Sequence, residues 1–258
     1  MSYSSTAALL AIAFLANSGP AAAERLIVSL TNHHVMITSN YTGVELVLFG
    51  SVERDAASPQ RRGQYDIVAT VVGPREQLRT RRKQRVLGIW VNTAARTFID
   101  PPSYLAVLSS RPLDAIANAD TLKRLQLGIA DTPLPELINN DIGEVANDPF
   151  RVALVRLMRD HGLYSEEPSA VTFLTPTLFR ASISLPAQVP IGSYKVDVKL
   201  FADGNPIAHT DSAFEIVKVG FEQFVVEAAR DHGLLYGLAA ALMALLTGWI
   251  ASVAFRRD

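Results

Sequence analysis

The sequence predicts a mainly β protein: an immunoglobulin-like β-sandwich type periplasmic region with a helical insert, plus one C-terminal transmembrane helix. Three observations predict it. Short β-rich runs, each closed by Gly or Pro, fill residues 26–110. A strict period of two returns between Phe179 and Leu200. The stretch Leu234–Phe255 holds 22 residues without a charge.

The first β stretch begins with Leu26–Leu30 and His34–Thr38. Val44–Val52 follows, apolar on both faces as a central strand is. Then come Tyr65–Val72, Arg85–Asn92, Arg96–Ile99 and Tyr104–Ser109. Gly43, Gly50, Gly63, Gly73-Pro74 and Pro101-Pro102 separate them. Six or seven strands at this spacing call for a second sheet, since one sheet alone leaves an apolar face uncovered.

From Pro112 to Tyr164 the period shifts toward helix. Asp120 is placed to cap a helix over Thr121–Leu127, with Gly128 as its stop. Asp148 is placed to cap a second, with Pro149 at its first position and Gly162 closing it. Phe150, Leu154, Leu157 and His161 recur along that helix at helical spacing. Strands resume over residues 171–219. Phe179, Ala181, Ile183 and Leu185 alternate with polar residues, as do Tyr194, Val196, Val198 and Leu200. Asp203-Gly204 is a hairpin turn into a strand that ends over Phe214–Val219. These strands either complete the first sandwich or form a small second β unit.

Two apolar segments frame the chain. Residues 1–23 lack charge, and Ala7–Ala16 is too short to span a bilayer. Ala21 and Ala23 supply the small residues of a signal-peptidase site, so cleavage is expected before Glu24. Leu234–Phe255 reaches about 33 Å as a helix, enough to cross the hydrocarbon core. Tyr236 and Trp249 lie toward its ends, and Arg256-Arg257 follow it. The expected organisation is a signal peptide (1–23), a β-sandwich region (24–110), a helical segment (111–164) and further β strands (165–219). A juxtamembrane helix (220–233), striped with Phe221, Phe224, Val225 and Ala228, leads to the span (234–255) and a cytoplasmic tail (256–258). The chain is then a single-pass protein of the bacterial inner membrane, its bulk in the periplasm and its C-terminus in the cytoplasm.

Composition removes several classes. The chain has no cysteine, which excludes a disulfide scaffold, a cysteine-ligated metal and a thiol nucleophile. A net charge of −1 argues against a nucleic-acid partner. Of the five histidines, His33 and His34 are adjacent and point apart on a strand, while His161 and His232 each precede a helix-ending glycine. No metal site and no cofactor is expected from this pattern. Gly-x-Ser-x-Gly, the phosphate-binding glycine loop and His-Glu-x-x-His are absent, so no catalytic residue is assigned.

Two surfaces stand out. Arg75, Arg79, Arg81, Arg82, Lys83 and Arg85 place six cations in eleven positions, broken by Glu76 alone among acids. Such a surface attracts anions: lipid head groups, an acidic partner loop or an oxyanion. The same pattern also occurs on a solvated edge hairpin, where charge discourages edge pairing. Within the span, Ala240, Ala244, Gly248 and Ser252 recur every four residues, a spacing that lets a second helix approach closely.

The residues also resemble a family. The blocks, in order, are Val35–Ser39, Gly43–Gly50, Asp66-Ile67-Val68 with Gly73-Pro74, Arg81–Lys83, Gly88–Asn92 and Ser109–Leu113. Phe221-Glu222-Gln223-Phe224, Leu234–Gly237 and Arg256-Arg257 complete them. Their succession resembles the alphaproteobacterial putative transmembrane protein family, across nearly the whole mature chain. The family has no established activity. Its members tend to be encoded beside permeases of the sulfite-exporter type, which implies an accessory role. The expected function is therefore a non-enzymatic accessory or binding partner of a membrane permease. Its expected partners are the lipid bilayer and an integral membrane protein, or a second copy bound through the C-terminal helix. The alternatives are a periplasmic hydrolase or metal-dependent enzyme, and a structural envelope tether.

Overall fold

A computed structural model describes residues 24–38, 40–54, 64–138, 141–143, 148–220, 229–230 and 232–254. Residues 1–23, expected to be a signal peptide, the Phe221–Ala228 stripe and the Arg256-Arg257 tail lie outside the described residues.

The alternating runs fold into strands that bury one face each. β1 (Arg25–Leu30), β3 (Gly43–Glu53), β12 (Leu178–Pro186) and β11 (Val171–Phe173) form one antiparallel sheet in the order β1-β3-β12-β11. A second sheet has six strands: β10 (Tyr164–Pro168), β7 (Leu105–Ser109), β4 (Asp66–Val72), β13 (Gly192–Ala202), β14 (Asn205–Lys218) and β2 (His34–Ile37). Its interior pairings are antiparallel, while β10 and β2 add in parallel at the two edges. The inner faces meet in one core built from Leu46, Leu48, Phe179, Ile183, Val196 and Val198 among others.

The late strands complete the first sandwich. β12 pairs with β3 over nine positions, from Leu178 opposite Ser51 to Pro186 opposite Gly43. β13 pairs with β4 from Lys195 opposite Val72 to Phe201 opposite Asp66. Asp203 and Gly204, both at positive φ, turn β13 into β14.

Burial on two faces falls elsewhere than expected. β3 lies between two strands but buries one face, leaving Val44 and Phe49 exposed. The strands apolar on both faces are β4 and β7. Behind them Val68, Val107 and Phe201 meet α1 (Leu113–Ile116) and α2 (Ala119–Arg124) through Leu113, Ile116 and Leu122. α3 (Pro149–Asp160) covers the neighbouring part, where Leu154 and Met158 pack on Phe98, Leu105 and Tyr164. The helical insert is thus the third layer of the fold.

Several local expectations change. The segment 85–92 is no single strand: β5 (Leu78–Val86) and β6 (Ile89–Phe98) form a hairpin that turns at Leu87-Gly88, both at positive φ. α2 is capped by Asn118, whose side chain accepts from the Thr121 N–H at 2.8 Å, and not by Asp120. The segment 111–164 is not wholly helical, because β8 (Glu136–Ile138) and β9 (Asp141–Gly143) add to β6 as a third sheet, β5-β6-β8-β9. Asp148 does cap α3 behind Pro149, and Gly162 follows at positive φ. The buried stripe of α3 runs through Leu154 and Met158, however, while Leu157 and His161 are exposed.

At the C-terminus, α4 (Gly233–Ala254) is one 22-residue helix with no charged residue in its first or last turn, and its described side chains are exposed. Among the described residues no helix is long and apolar enough to cross a membrane; the unbroken run of described side chains in α4 is 236–252.

One glycine sets the spacing of the outer sheet. Gly50 lies opposite Phe179, and a Cβ there would sit 2.2 Å from Phe179 Cζ. The fully buried ring occupies the space a side chain would take. Gly50→Ala is expected to push the ring off its site and cost about 1–3 kcal/mol. That corresponds to a fall in Tm of about 2–4 °C for each kcal/mol in a chain of this size, read by thermal unfolding.

Candidate functional site

The basic run lies on the β5–β6 hairpin. Beyond Phe98 and Thr97, which pair with β8, β6 has no partner but β5 among the described residues. Every side chain from Arg81 to Thr93 is exposed, so this part is a two-stranded ribbon standing away from the core. The six β5 residues from Arg81 to Val86, at about 3.3 Å each, give it a reach of about 20 Å.

The register sorts the cations. Arg79, Arg81, Lys83 and Arg85 alternate along β5 and share one face, opposite Thr97, Ala95, Asn92 and Trp90. Arg82 shares the other face with Leu78 and Thr80. Arg75 stands apart: its Nη1 donates to the Asp100 carbonyl at 2.8 Å, beside an isolated bridge to Pro102. Five of the six expected cations therefore share the ribbon.

The structure adds residues the sequence did not single out. At the tip, Leu87 is 99% exposed, Trp90 70% and Ile89 67%, with Val86 and Val91 beside them. Between the ribbon and α3 lies a groove of about 530 Å³, where Arg82 and Lys83 face Arg156, Phe150 and Val152. The tip was hidden because residues 85–92 read as one strand; recognising Gly88 as a turn glycine would have exposed it.

The ribbon is fixed at its root by buried charge. Arg96 on β6 lies 3.4 Å from Glu136 on β8 and 3.2 Å from Asp148, the cap of α3. Its guanidinium also covers the Phe150 ring, 5.6 Å from the centroid. Glu136 is 0% exposed, and among the described residues neither of its carboxyl oxygens has a hydrogen-bond partner. Burial, then the neighbouring Asp148, push the Glu136 carboxyl up to about 7, against the pull of Arg96 and Arg151. Burial also acts upward on Asp148, but the Phe150 N–H, Glu136 and Arg96 together hold it below its ordinary value. The pair therefore favours a neutral acid beside a carboxylate, both reached by one arginine.

Among the described residues no group of three or more His, Asp or Glu side chains is placed to hold a metal ion. His34 and Glu215 are 4.0 Å apart on the surface, and His161 Nδ1 lies 2.7 Å from the Leu157 carbonyl at the end of α3. The small ridge Ala240, Ala244, Gly248 and Ser252 lies along α4 with each member exposed, and apart from the helix's own backbone no described atom comes within 4 Å of a Cβ built at Gly248.

The family described as "Putative transmembrane protein (Alph_Pro_TM)" matches residues 25–257, and the chain belongs to this family. No curated protein matches it.

Glu136 makes stability pH-dependent with a definite sign. Its folded value of about 7 lies above its ordinary 4.5, so between these the folded chain holds a proton that the unfolded chain releases. Stability from this group is full below about 4.5 and is lost as pH rises through 7. Glu136→Gln is expected to flatten the fall in Tm between pH 5 and 8, about the two ends of that window, as read by thermal scans in a pH series.

Proposed function

We infer that the chain is a non-enzymatic accessory protein that holds a β domain at the periplasmic face of the bacterial inner membrane and presents it to a membrane partner. The observation that carries this reading is α4: one continuous helix without a charged residue, with its described side chains exposed. A helix that is apolar all round buries its surface in lipid or in other helices. Leu234–Phe255 is free of charge over 22 residues, and Arg256-Arg257 follow as the positive-inside tendency requires of a cytoplasmic end. Membership of a family described as transmembrane supports the same placement. The Ala-rich segment before Glu24 supports export. On this reading the sandwich is the immunoglobulin-like, periplasmic part of a single-pass protein.

The partner is an integral membrane protein, with a permease of the sulfite-exporter type as the first candidate, or a second copy of the chain. The ridge Ala240, Ala244, Gly248 and Ser252 would be the helix-packing face, because backbones approach closely only where side chains are small.

Topology is tested in spheroplasts. External protease should degrade residues 24–233 and spare a C-terminal tag, and N-terminal sequencing of membrane-extracted protein should begin at Glu24. Protection of the β region would defeat the reading. A mild-detergent pull-down with mass spectrometry then identifies the partner. Ala244→Leu combined with Gly248→Leu is expected to abolish co-purification, or self-association, with expression and membrane insertion unchanged.

A further inference from the structure

The β5–β6 ribbon combines two features that seldom occur together without a function. Its tip exposes Val86, Leu87, Ile89, Trp90 and Val91 to water. Contiguous exposed apolar surface of this kind marks a binding site. Its neck carries cations alone: residues 78–98 include Arg79, Arg81, Arg82, Lys83, Arg85 and Arg96, and no Asp or Glu.

We propose that the β5–β6 ribbon is a membrane foot, whose apolar tip enters the outer half of a bilayer while its cationic neck binds anionic phospholipid head groups. The occupant follows from the order of chemistry along the ribbon. A bilayer presents hydrocarbon, then an interfacial layer, then head-group phosphate. The ribbon presents Leu87 and Ile89 at its end, Trp90 next, and then Arg85, Lys83, Arg81 and Arg79 in one row on Trp90's face. Trp is suited to the interfacial depth, where its ring is buried and its N–H stays wet. Successive cations on one strand face stand about 6.6 Å apart, so the row rises through the head-group layer and above it. An acidic protein would satisfy the neck but leave the tip in water, and a small anion would satisfy neither the tip nor its Trp. The groove toward α3 extends the same chemistry, with Arg156 and Lys83 beside the apolar Phe150 and Val152. The root supports the function as well: Arg96, Glu136 and Asp148 tie β6 to β8 and α3, so the base of the ribbon is fixed to the body of the fold.

The proposal takes from the anchoring reading only that a membrane is near, and the two can be separated. The chain has two tryptophans, Trp90 and Trp249. Trp249→Phe leaves Trp90 as the reporter of the ribbon, and Trp90→Phe leaves Trp249 as the reporter of α4. Each full-length variant is mixed into liposomes of phosphatidylcholine alone or with phosphatidylglycerol, with or without brominated acyl chains as quencher. With phosphatidylglycerol present, Trp90 emission is expected to shift to shorter wavelength and to be quenched by bromine. Both effects should be lost when Arg79, Arg81, Lys83 and Arg85 are changed to Ser, or when Leu87 and Ile89 are changed to Ser. Each cation contributes about a fivefold change in surface affinity, and salt should weaken the effect. These exposed positions leave the core intact, which far-UV circular dichroism checks. If Trp90 stays unquenched while Trp249 is quenched, the foot is wrong and the anchor stands. Quenching of Trp90 with Trp249 unquenched upholds the foot and defeats the anchor. If the Trp90 shift ignores phosphatidylglycerol and instead follows the number of copies per vesicle, the tip packs on a second copy and the proposal fails.

Discussion

The two strands β4 and β7 are apolar on both faces, and most of the architecture answers that constraint. A strand with two apolar faces must be covered twice. The sheet β1-β3-β12-β11 covers the side of Ile67, Ala69 and Val71. The helical insert covers the side of Val68 and Val107. Interior position in the sheet follows as well: β4 is paired on one edge by β7 and on the other by β13, so none of its backbone faces water at an edge. Because β13 lies far along the chain from β4, the insert must leave and return between them, which is why helix and strand segments alternate in the sequence but not in space.

What was legible depended on whether a segment's partner is solvent or protein. The strands with one wet face declared themselves: Phe179, Ala181, Ile183 and Leu185 are all buried, as are Tyr194, Val196, Val198 and Leu200. The Asp203-Gly204 turn and the Asp148-Pro149 helix start follow from local backbone chemistry and needed nothing else. The hairpin turn failed the same test because Leu87 holds a positive φ that the residue type does not favour. β8 and β9 are three residues each, too short to show a period; β8 exists because β6 offers it an edge, and β9 because β8 does. For the site, the cations were legible as a charge run, but their sorting onto faces required the register. The apolar tip was readable only after the turn was placed.

The joint at Arg96 connects the readable parts to the unreadable ones. Arg96 lies outside the basic run of residues 75–85, on β6, and is half-buried where the cations of that run are exposed. It spans two acids from different elements, Glu136 on β8 and Asp148 at the start of α3. Removing one partner of such a cluster leaves a buried charge without compensation, which costs more than the pair itself contributes. The cluster therefore fixes position more than it adds stability. It ties a helix cap, a short strand and the root of an otherwise unsupported ribbon to a single guanidinium.

An isolated two-stranded ribbon in water is marginal, since neither face is covered and its hydrogen bonds are open to solvent. On β5 burial ends at Thr80, and every side chain from Arg81 to Thr93 is exposed. A neck of like charges makes matters worse, because neighbouring arginines repel at spacings below the screening length of about 8–10 Å. An apolar tip adds the cost of hydrating Leu87 and Ile89. Each of these costs has the same remedy: a surface that is anionic where the neck stands and apolar where the tip reaches. Like α4, the ribbon is thus poorly matched to water and well matched to a bilayer. That mismatch, more than the basic run alone, distinguishes a binding element from a solvated edge.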